Sequence, residues 1–426
     1  MSIENNSTIE QSRNTPKGDA QSLPKGWVET TLGEVCDVQS GGTPSTKNLN
    51  YWNGNIGWIT PKDLSNYTKV FIKKGERSIT KVGLGNSSAK LLPKHTILFS
   101  SRAPIGYVVI AENEITTNQG FKNLICNEEN SHYKFFYYLL KLKAEHIEKL
   151  SSGSTFSEAS ASLMKSIEIT TPKSIKEQKA IAQILTAFDD KIELLQAQNK
   201  TLETTAQTIF KEWFGKYKIG DELPEGWRVG TLGNVTKIAG GTTPSTKNPE
   251  YWDGTVHWTS PKDLSNYKEM FLLTTEKKIT TEGLKKISSG LLPTGTLLLS
   301  SRAPVGYLSL TTFKLAINQG YIAIFPEQYF SNCYMYLWLN LNMKTIENSA
   351  NGSTFLEISK SSFRNIDCIV PDENVIKKFD EITTPIFDKI LSNLIQIQTL
   401  KQTRDTLLPK LMSGQLRVDE FKERAV

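Results

Sequence analysis

Pro61-Lys62-Asp63-Leu64-Ser65-Asn66-Tyr67 returns unchanged as Pro261-Lys262-Asp263-Leu264-Ser265-Asn266-Tyr267. The flanks of this stretch repeat in the same register. Leu23-Pro24-Lys25-Gly26-Trp27 returns as Leu223-Pro224-Glu225-Gly226-Trp227, Pro44-Ser45-Thr46-Lys47-Asn48 as Pro244 to Asn248, and Tyr51-Trp52 as Tyr251-Trp252. Downstream, Ser100-Ser101-Arg102-Ala103-Pro104 returns as Ser300 to Pro304, and Asn118-Gln119-Gly120 as Asn318 to Gly320. Over Leu23–Tyr67, 26 of 45 positions are identical, and no gap interrupts the register as far as Gly120. A period of 200 residues far exceeds the roughly 20–50 residues of a solenoid unit. The chain therefore contains a duplicated domain, and a duplicated domain implies two equivalent binding surfaces.

The 426 residues suffice for two or three domains, each with its own core. At 38% apolar residues the chain reads as folded. No apolar run reaches the roughly 18 residues of a transmembrane helix, so none is expected. Met1 to Ser22 is polar, lacks the apolar stretch of a signal peptide, and reads as a disordered tail. Cys36, Cys126, Cys333 and Cys368 are scattered and do not correspond across the repeat. Structural disulfides would be duplicated with the domain, so free thiols in a reducing cytoplasm are expected. The histidines are not duplicated either and have no metal-ligand spacing, so no metal site is expected. The net charge of +6 is modest, but its distribution is informative. Leu23–Pro172 carries 17 basic against 13 acidic residues, and Leu223–Pro371 carries 14 against 11. The basic excess lies in the duplicated segments, which is compatible with a polyanionic partner.

Within each repeat, short segments such as Thr96 to Ser100 and Tyr107 to Ile110 are bounded by Gly, Pro, Asn and Ser, and read as strands joined by turns. A helix follows near the end of each copy, around Tyr133–Leu150 and Ser331–Glu347. A last strand then leads to Pro172 or Pro371. Beyond each proline the pattern changes. Ile175 to Phe214 contains no Gly or Pro, and Ile181, Leu185, Phe188, Ile192, Leu195, Asn199, Leu202, Ala206, Ile209 and Trp213 are spaced alternately four and three apart. This is a heptad seam. The second copy aligns Asp190-Lys191-Ile192 with Asp388-Lys389-Ile390, and its seam reads Ile386, Ile390, Asn393, Ile397, Leu400, Arg404, Leu407 and Leu411. Pro385 is expected to start or kink this helix. A long helix with one apolar stripe is not stable alone. Either each helix docks on its own domain, or the two pack on each other, the arrangement the seams favour. An antiparallel pair would place the globular domains at opposite ends, related by an approximate two-fold axis. Asn199 and Asn393, one polar residue in each seam, would fix register at a cost in stability.

The ordered set now in hand closely resembles the specificity subunit of type I restriction-modification enzymes. It comprises Leu23 to Trp27, Gly41-Gly42-Thr43-Pro44, Tyr51-Trp52, Ser101-Arg102 with Gly106, Asn118-Gln119-Gly120, Gly153-Ser154-Thr155, and Glu177-Gln178 opening a helix that runs through Ile181 to Ile192. The resemblance covers nearly the whole chain after the tail. It implies an α/β (α+β) fold, with two similar mixed α/β target recognition domains separated by two long helices forming an antiparallel, pseudo-two-fold coiled coil. The expected organisation is a tail over 1–22, a first recognition domain over 23–172 and a first spacer helix over 173–222. A second recognition domain over 223–371 and a second spacer helix with the C-terminal tail over 372–426 complete it. The implied partners are double-stranded DNA, two methyltransferase subunits and restriction or translocase subunits, in the cytoplasm. S-adenosylmethionine, ATP and Mg would belong to those partners, and none is expected on this chain. In this family the two recognition domains usually differ, whereas here they are unusually alike through Gly120.

Catalytic motifs are absent from the sequence. Gly41 to Lys47 lacks the glycine that precedes the lysine of a Walker loop, and no G-x-G-x-x-G opens a helix. No Asn-Pro-Pro-aromatic run, of the kind adenine methyltransferases use to hold a flipped base, is present. Pro61-Lys62-Asp63 hints at a nuclease, but no second acid and lysine recur with it. A tandem sugar- or protein-binding scaffold and a single-chain restriction enzyme are the competing readings. The coiled-coil spacer argues against the first, and the missing motifs against the second. For DNA, phosphates need cations and amides, while base edges need side chains that donate and accept. The candidates of that chemistry are Thr43, Ser45, Lys47, Lys62, Asn66, Arg102, Ser154 and Thr155, with Thr243, Ser245, Lys247, Lys262, Asn266, Arg302, Ser353 and Thr354. Structural roles compete at several places: Asp63 as a helix cap, Trp58 and Trp258 in the core, and Arg102 in an internal salt bridge. Near-identical domains related by a two-fold should read near-identical half-sites in inverted orientation, giving a split, nearly palindromic site, unless Phe121–Ser152 and Tyr321–Asn351, where the copies diverge, carry different base readers.

Overall fold

The computed structural model describes residues 23–151, 158–265, 267–302, 304–325, 329–351 and 356–418. The tail over 1–22 lies outside the described residues. These residues form two compact units, one running up to Asp190 and resuming at Lys401, the other from Lys191 to Leu400.

The first unit runs β1 (Trp27–Thr31), α1 (Leu32–Val35), β2 (Cys36–Ser40), β3 (Trp52–Ile59), α2 (Pro61–Leu64), β4 (Phe71–Ile72), β5 (Arg77–Ile79) and α3 (Lys81–Gly85). It continues through β6 (Ile97–Ser101), β7 (Ile105–Ala111), β8 (Thr116–Thr117), β9 (Phe121–Cys126), α4 (Tyr133–Ser151), α5 (Ala161–Ser166) and β10 (Glu168–Pro172). A mixed five-stranded sheet has the order β2-β9-β6-β7-β4, a three-stranded sheet the order β5-β3-β8, and β1 pairs antiparallel with β10. The long helix α6 (Ile175–Phe214) follows.

The second unit repeats this with β11 (Arg228–Thr231), α7 (Leu232–Val235), β12 (Lys237–Ala239), β13 (Trp252–Thr259), α8 (Pro261–Leu264), β14 (Phe271–Leu272), β15 (Lys277–Ile279) and α9 (Thr281–Leu284). Next come β16 (Leu297–Ser301), β17 (Val305–Thr311), β18 (Leu315–Ile317), β19 (Tyr321–Phe325), α10 (Asn332–Leu341), α11 (Met343–Asn348), α12 (Lys360–Arg364) and β20 (Asp367–Val370), before helix α13 (Glu373–Met412). Its sheets have the orders β12-β19-β16-β17-β14, β15-β13-β18 and β11-β20, matching the first unit strand for strand. The chain is thus two similar mixed α/β domains with long helices between them.

Strand β6 shows why the central strands open with three apolar residues in a row. Ile97 and Phe99 face the cluster built with Phe135, Phe136 and Leu140 of α4, whereas Leu98 faces Leu92, Val109 and Phe121 on the other side. Covered on both faces, the strand loses the polar alternation of a half-exposed one. In the second unit Leu297 and Leu299 take one face and Leu298 the other.

Inside each unit one end of α6 meets one end of α13. In the first unit Ile181 and Leu185 share a core with Leu408, Leu411 and Met412, and Arg404 pairs with Asp189. In the second, Asn393 Nδ2 donates to Asn199 Oδ1 at 2.7 Å, and the rings of Phe210 and Phe379 lie 5.7 Å apart. Numbers rise along one helix as they fall along the other, so the paired segments run antiparallel within each unit. All eighteen seam positions named from the sequence, from Ile181 to Trp213 and from Ile386 to Leu411, are buried or half-buried. Periodicity alone did not mark Phe210, Phe387, Leu394 and Leu408, which are also buried.

Three details differ from the sequence expectation. Pro385 does not start the second helix, which runs unbroken from Glu373. The carbonyl it leaves without a helical partner belongs to Glu381, and both residues are exposed, so it is left on the solvent side while buried Thr383 and Phe387 anchor the same turns. The helix expected over Ser331–Glu347 is split at Asn342, whose Nδ2 donates to the Trp338 carbonyl at 2.9 Å and competes with the helical ladder. Two of the scattered cysteines are neighbours: Cys36 and Cys126 face each other across β2 and β9 with sulfurs 3.6 Å apart, both as free thiols. The hydrogen bond between them and burial hold the Cys36 thiol well above its ordinary pKa. Among the described residues no helix is long and apolar enough to cross a membrane, and no cluster of His, Cys, Asp and Glu is fit to hold a metal ion.

Candidate nucleic-acid interface

The loop after β2 begins with two glycines because it runs between the turn after β8, which crowds Gly41, and Ser88-Ala89, which crowd Gly42. Gly42 N donates to the Thr117 carbonyl at 2.9 Å, and a Cβ at Gly41 would collide with the Asn118 carbonyl oxygen. Two indoles then fix the loop from below. Trp58 Nε1 donates to the Gly42 carbonyl (2.9 Å) and Trp52 Nε1 to the Ser45 carbonyl (3.1 Å), while the rings pack edge-on at 5.0 Å. Buried Trp58 therefore serves the loop's geometry as well as the core. Thr43 stands half-exposed, and Ser45 and Lys47 fully exposed, on this braced backbone. The second unit repeats the clamp: Trp252 Nε1 reaches the Ser245 carbonyl at 3.1 Å and Trp258 Nε1 the Thr242 carbonyl at 3.4 Å. Thr243, Ser245 and Lys247 are exposed.

Lys62 projects from α2, a single turn fixed by Asp63. One Asp63 oxygen accepts from Thr60 N and Oγ1, both at 2.7 Å, and the other accepts from Glu76 N at 2.7 Å. This capping box occupies the carboxylate that the sequence offered to a nuclease. Lys62 pairs with Glu76 at 3.3 Å and Lys262 with Glu276 at 3.7 Å, all four highly exposed. Such surface pairs contribute about 0–1 kcal/mol, so either lysine can exchange its partner for a phosphate at little cost. Asn66 is exposed.

Arg102 stands at the end of β6, with Nη1 3.6 Å from Glu158, and Arg302 stands likewise 3.8 Å from Glu357. The salt-bridge role for Arg102 is therefore real, but both partners are more than a third exposed. The two units differ beneath this pair. Buried Lys122 reaches Glu158 at 3.0 Å and Ser101 Oγ at 3.3 Å, and its place in the second unit is taken by Ile322. Among the described residues Glu158 thus serves two cations where Glu357 serves one. Ser154, Thr155, Asn266, Ser353 and Thr354 lie outside the described residues.

The turn Asn118-Gln119-Gly120 gathers the other pieces. Asn118 N donates to the Ile59 carbonyl (2.9 Å) just before α2, and Ser101 N donates to the Gly120 carbonyl (2.7 Å) beside Arg102. Thr43 Oγ1 donates to Gln119 Oε1, reaching the Gly-rich loop. In the second unit Asn318 N meets the Thr259 carbonyl at 3.1 Å, Ser301 N the Gly320 carbonyl at 2.8 Å, and Thr243 Oγ1 the Gln319 Oε1 at 2.8 Å. Tyr321 adds a tie from β19 to α8, donating to the Ser260 carbonyl at 2.8 Å, and burial pushes its phenol pKa up. The segments that carry Thr43, Lys62 and Arg102 are therefore tied to one turn in the first unit, and those that carry Thr243, Lys262 and Arg302 to the matching turn in the second. Exposed Gln119 and Gln319 stand among them. The sequence candidates omitted both glutamines, although the repeated Asn-Gln-Gly turn was the signal that could have found them.

The model of the type I restriction modification DNA specificity domain matches residues 24–204 and again 224–406. The MjaIX specificity subunit of Methanocaldococcus jannaschii is 36% identical over 438 residues, covering 95% of this chain and 96% of that one. The HindI specificity subunit of Haemophilus influenzae is 25% identical over 425 residues, covering 83% and 89%. The crystal structure of an S subunit from M. genitalium aligns over 93% of this chain and 98% of its own with a TM-score of 0.61 and 19% identity, a likeness of fold.

Proposed function

The chain belongs to the type I restriction modification DNA specificity family as a subunit that recognises DNA, and from that premise we propose how it does so. Each unit presents its patch of Thr, Lys, Arg and Gln to one half of a bipartite duplex site. The lysines and the loop amides meet phosphates, and the arginine and amide side chains meet base edges. The observation that carries this reading is the duplication of the patch: the same side chains stand on the same hydrogen-bonded turn in both units. Like patches read like half-sites. We propose two nearly identical half-sites in inverted orientation around a non-specific gap, with centres on the order of one helical turn apart.

Methylome sequencing of a host expressing this chain with its methyltransferase is expected to return such a site. Two unrelated half-sites would assign specificity to what differs between the units, first of all Lys122-Asn123 against Ile322-Ala323.

In this reading the chain is not itself catalytic. It docks two methyltransferase subunits and restriction or translocase subunits, which carry the S-adenosylmethionine, ATP and Mg chemistry. The engagement of Asp63 and Asp263 in capping boxes supports this, because it takes up the carboxylates of the repeated Pro-Lys-Asp run that hinted at a nuclease. The purified chain is expected to show no methyl transfer, ATP hydrolysis or DNA cleavage. Turnover that survives removal of every partner would refute it.

A further inference from the structure

The amide side chains of Gln119 and Gln319 are exposed, yet each is held by one hydrogen bond from a residue 76 positions away. The donor is a threonine hydroxyl and the acceptor is Oε1 in both units, so the orientation of the amide is the same twice. A surface hydrogen bond of this kind contributes little to folding, about 1 kcal/mol or less. What it does fix is which atoms of the glutamine remain for a ligand. With Thr43 occupying one lone pair of Oε1, Gln119 keeps the second lone pair and both N–H donors of Nε2. An acceptor beside a donor on one planar amide is the complement of adenine in the major groove, whose N6 donates and whose N7 accepts.

The backbone that carries the glutamine is equally fixed. Asn118 Oδ1 accepts from Gly120 N at 2.9 Å and Asn318 Oδ1 from Gly320 N at 2.8 Å, closing the turn on either side of the reader. The cations flank it: Lys62 follows the Ile59 carbonyl that receives Asn118 N, and Arg102 follows Ser101, whose N–H holds the Gly120 carbonyl. A side chain that is locked before binding, with phosphate-seeking cations around it, loses little rotamer entropy when a base arrives.

We propose that Gln119 and Gln319 each read one adenine, one in each half-site, and that Thr43 and Thr243 are the positioning residues that aim them. This rests on the DNA-recognition reading above and names its base-reading residue. The test uses the full-length chain in its methyltransferase complex and a duplex library with randomised positions. Bound duplexes are sequenced for wild type, Gln119→Leu, Gln319→Leu, Thr43→Val and Thr43→Ser. Gln119→Leu is expected to lose its preference for adenine at one base pair by about 10- to 100-fold, the worth of a bidentate contact, and to leave the other half-site unchanged. Gln319→Leu should do the same in the other half-site. Thr43→Val should weaken the same base preference as Gln119→Leu, and Thr43→Ser, which keeps the hydroxyl, should restore it. A merely structural threonine would not move the preference at one base pair. If wild type enriches a site and Gln119→Leu enriches the same site unchanged, this inference is overturned while DNA recognition stands. If wild type enriches no sequence at all, DNA recognition by this patch fails as well.

Discussion

Replacing Arg404 by methionine is expected to destabilise the first unit by about 3 kcal/mol, the low end of the cost of breaking a buried ion pair. The Asp189 side chain is 7% exposed and that of Arg404 15%, so neither charge finds water when the other is removed. Arg404 Nη1 donates to Asp189, and its Nε and Nη2 both lie 2.8 Å from Asp405. The Tyr138 hydroxyl donates to the other Asp189 oxygen at 2.6 Å. Burial works against the Arg404 charge, but Asp189 and Asp405 beside it together more than offset this and hold the guanidinium above its ordinary pKa. With methionine in place, Asp189 keeps a single donor in a desolvated site. Amide exchange across α4, which carries Tyr138, should quicken by about 100-fold, because each 1.4 kcal/mol is a factor of ten. A change of less than about threefold would make the pair no more than a surface bridge.

The second unit shows what the alternative looks like. By the seam alignment Phe387 stands where Asp189 does and Ala206 where Arg404 does, and Tyr336 packs edge-on against Phe387 at 5.8 Å. The triple variant Tyr138→Phe, Asp189→Phe and Arg404→Ala should therefore recover most of the loss, since well-packed apolar replacements of buried ion pairs are often neutral or stabilising.

The same comparison separates what was legible in the sequence from what was not. The duplicated domain was legible because whole segments repeat in register, and the long helices because their apolar spacing persists over many turns with no Gly or Pro in the first. The pairing of Asp189 with Arg404 was not, because no periodicity says which seam residues meet across two helices. Arg404 looked like a break in an apolar stripe until its partner was in place. The proximity of Cys36 and Cys126 was hidden for a related reason, since it depends on β2 and β9 being neighbours although eight other strands and helices separate them in the chain. At the candidate interface, residue type picked out the repeated cations but not the glutamine between them. Lys62 and Arg102 were visible as repeated cations, whereas Gln119 has no charge to draw attention and gains its meaning from the hydroxyl of Thr43. Asp63 was ambiguous by type and was decided by geometry, its oxygens being taken up by Thr60 and Glu76.

The largest effect is expected at the seam of the second unit. Ile192 and Leu195 are 5% and 3% exposed and share a core with Ile390, Leu394 and Ile397. Changing both to aspartate removes about 1.5–3 kcal/mol of apolar burial at each position and adds two carboxylates with no cation to meet them. The sum exceeds about 5 kcal/mol, the lower bound of the stability of a typical domain. The paired segments of α6 and α13 in this unit should lose their amide protection. The nearby Leu194→Asp, at a position 61% exposed, should change stability by no more than about 0.5 kcal/mol. The sign of the pH dependence identifies the cause. A buried carboxylate without a partner has its folded pKa raised, so the folded state binds more protons than the unfolded one above pH ~4. Stability of the double variant should therefore fall as pH rises and be partly recovered near pH 5, whereas lost packing alone would be indifferent to pH. Asn199 and Asn393 sharpen the point. Their mutual hydrogen bond, and those to the Ile390 carbonyl and Gln198, pair both amide nitrogens and Asn199 Oδ1 in this register, while buried Asn393 Oδ1 has no partner among the described residues. Helices that slid to free the aspartates would strand these amides, so the segments have no cheaper pairing to retreat to. A double variant that keeps wild-type protection across α6 and α13 at pH 8 would show that the seam is not what holds the two helices together.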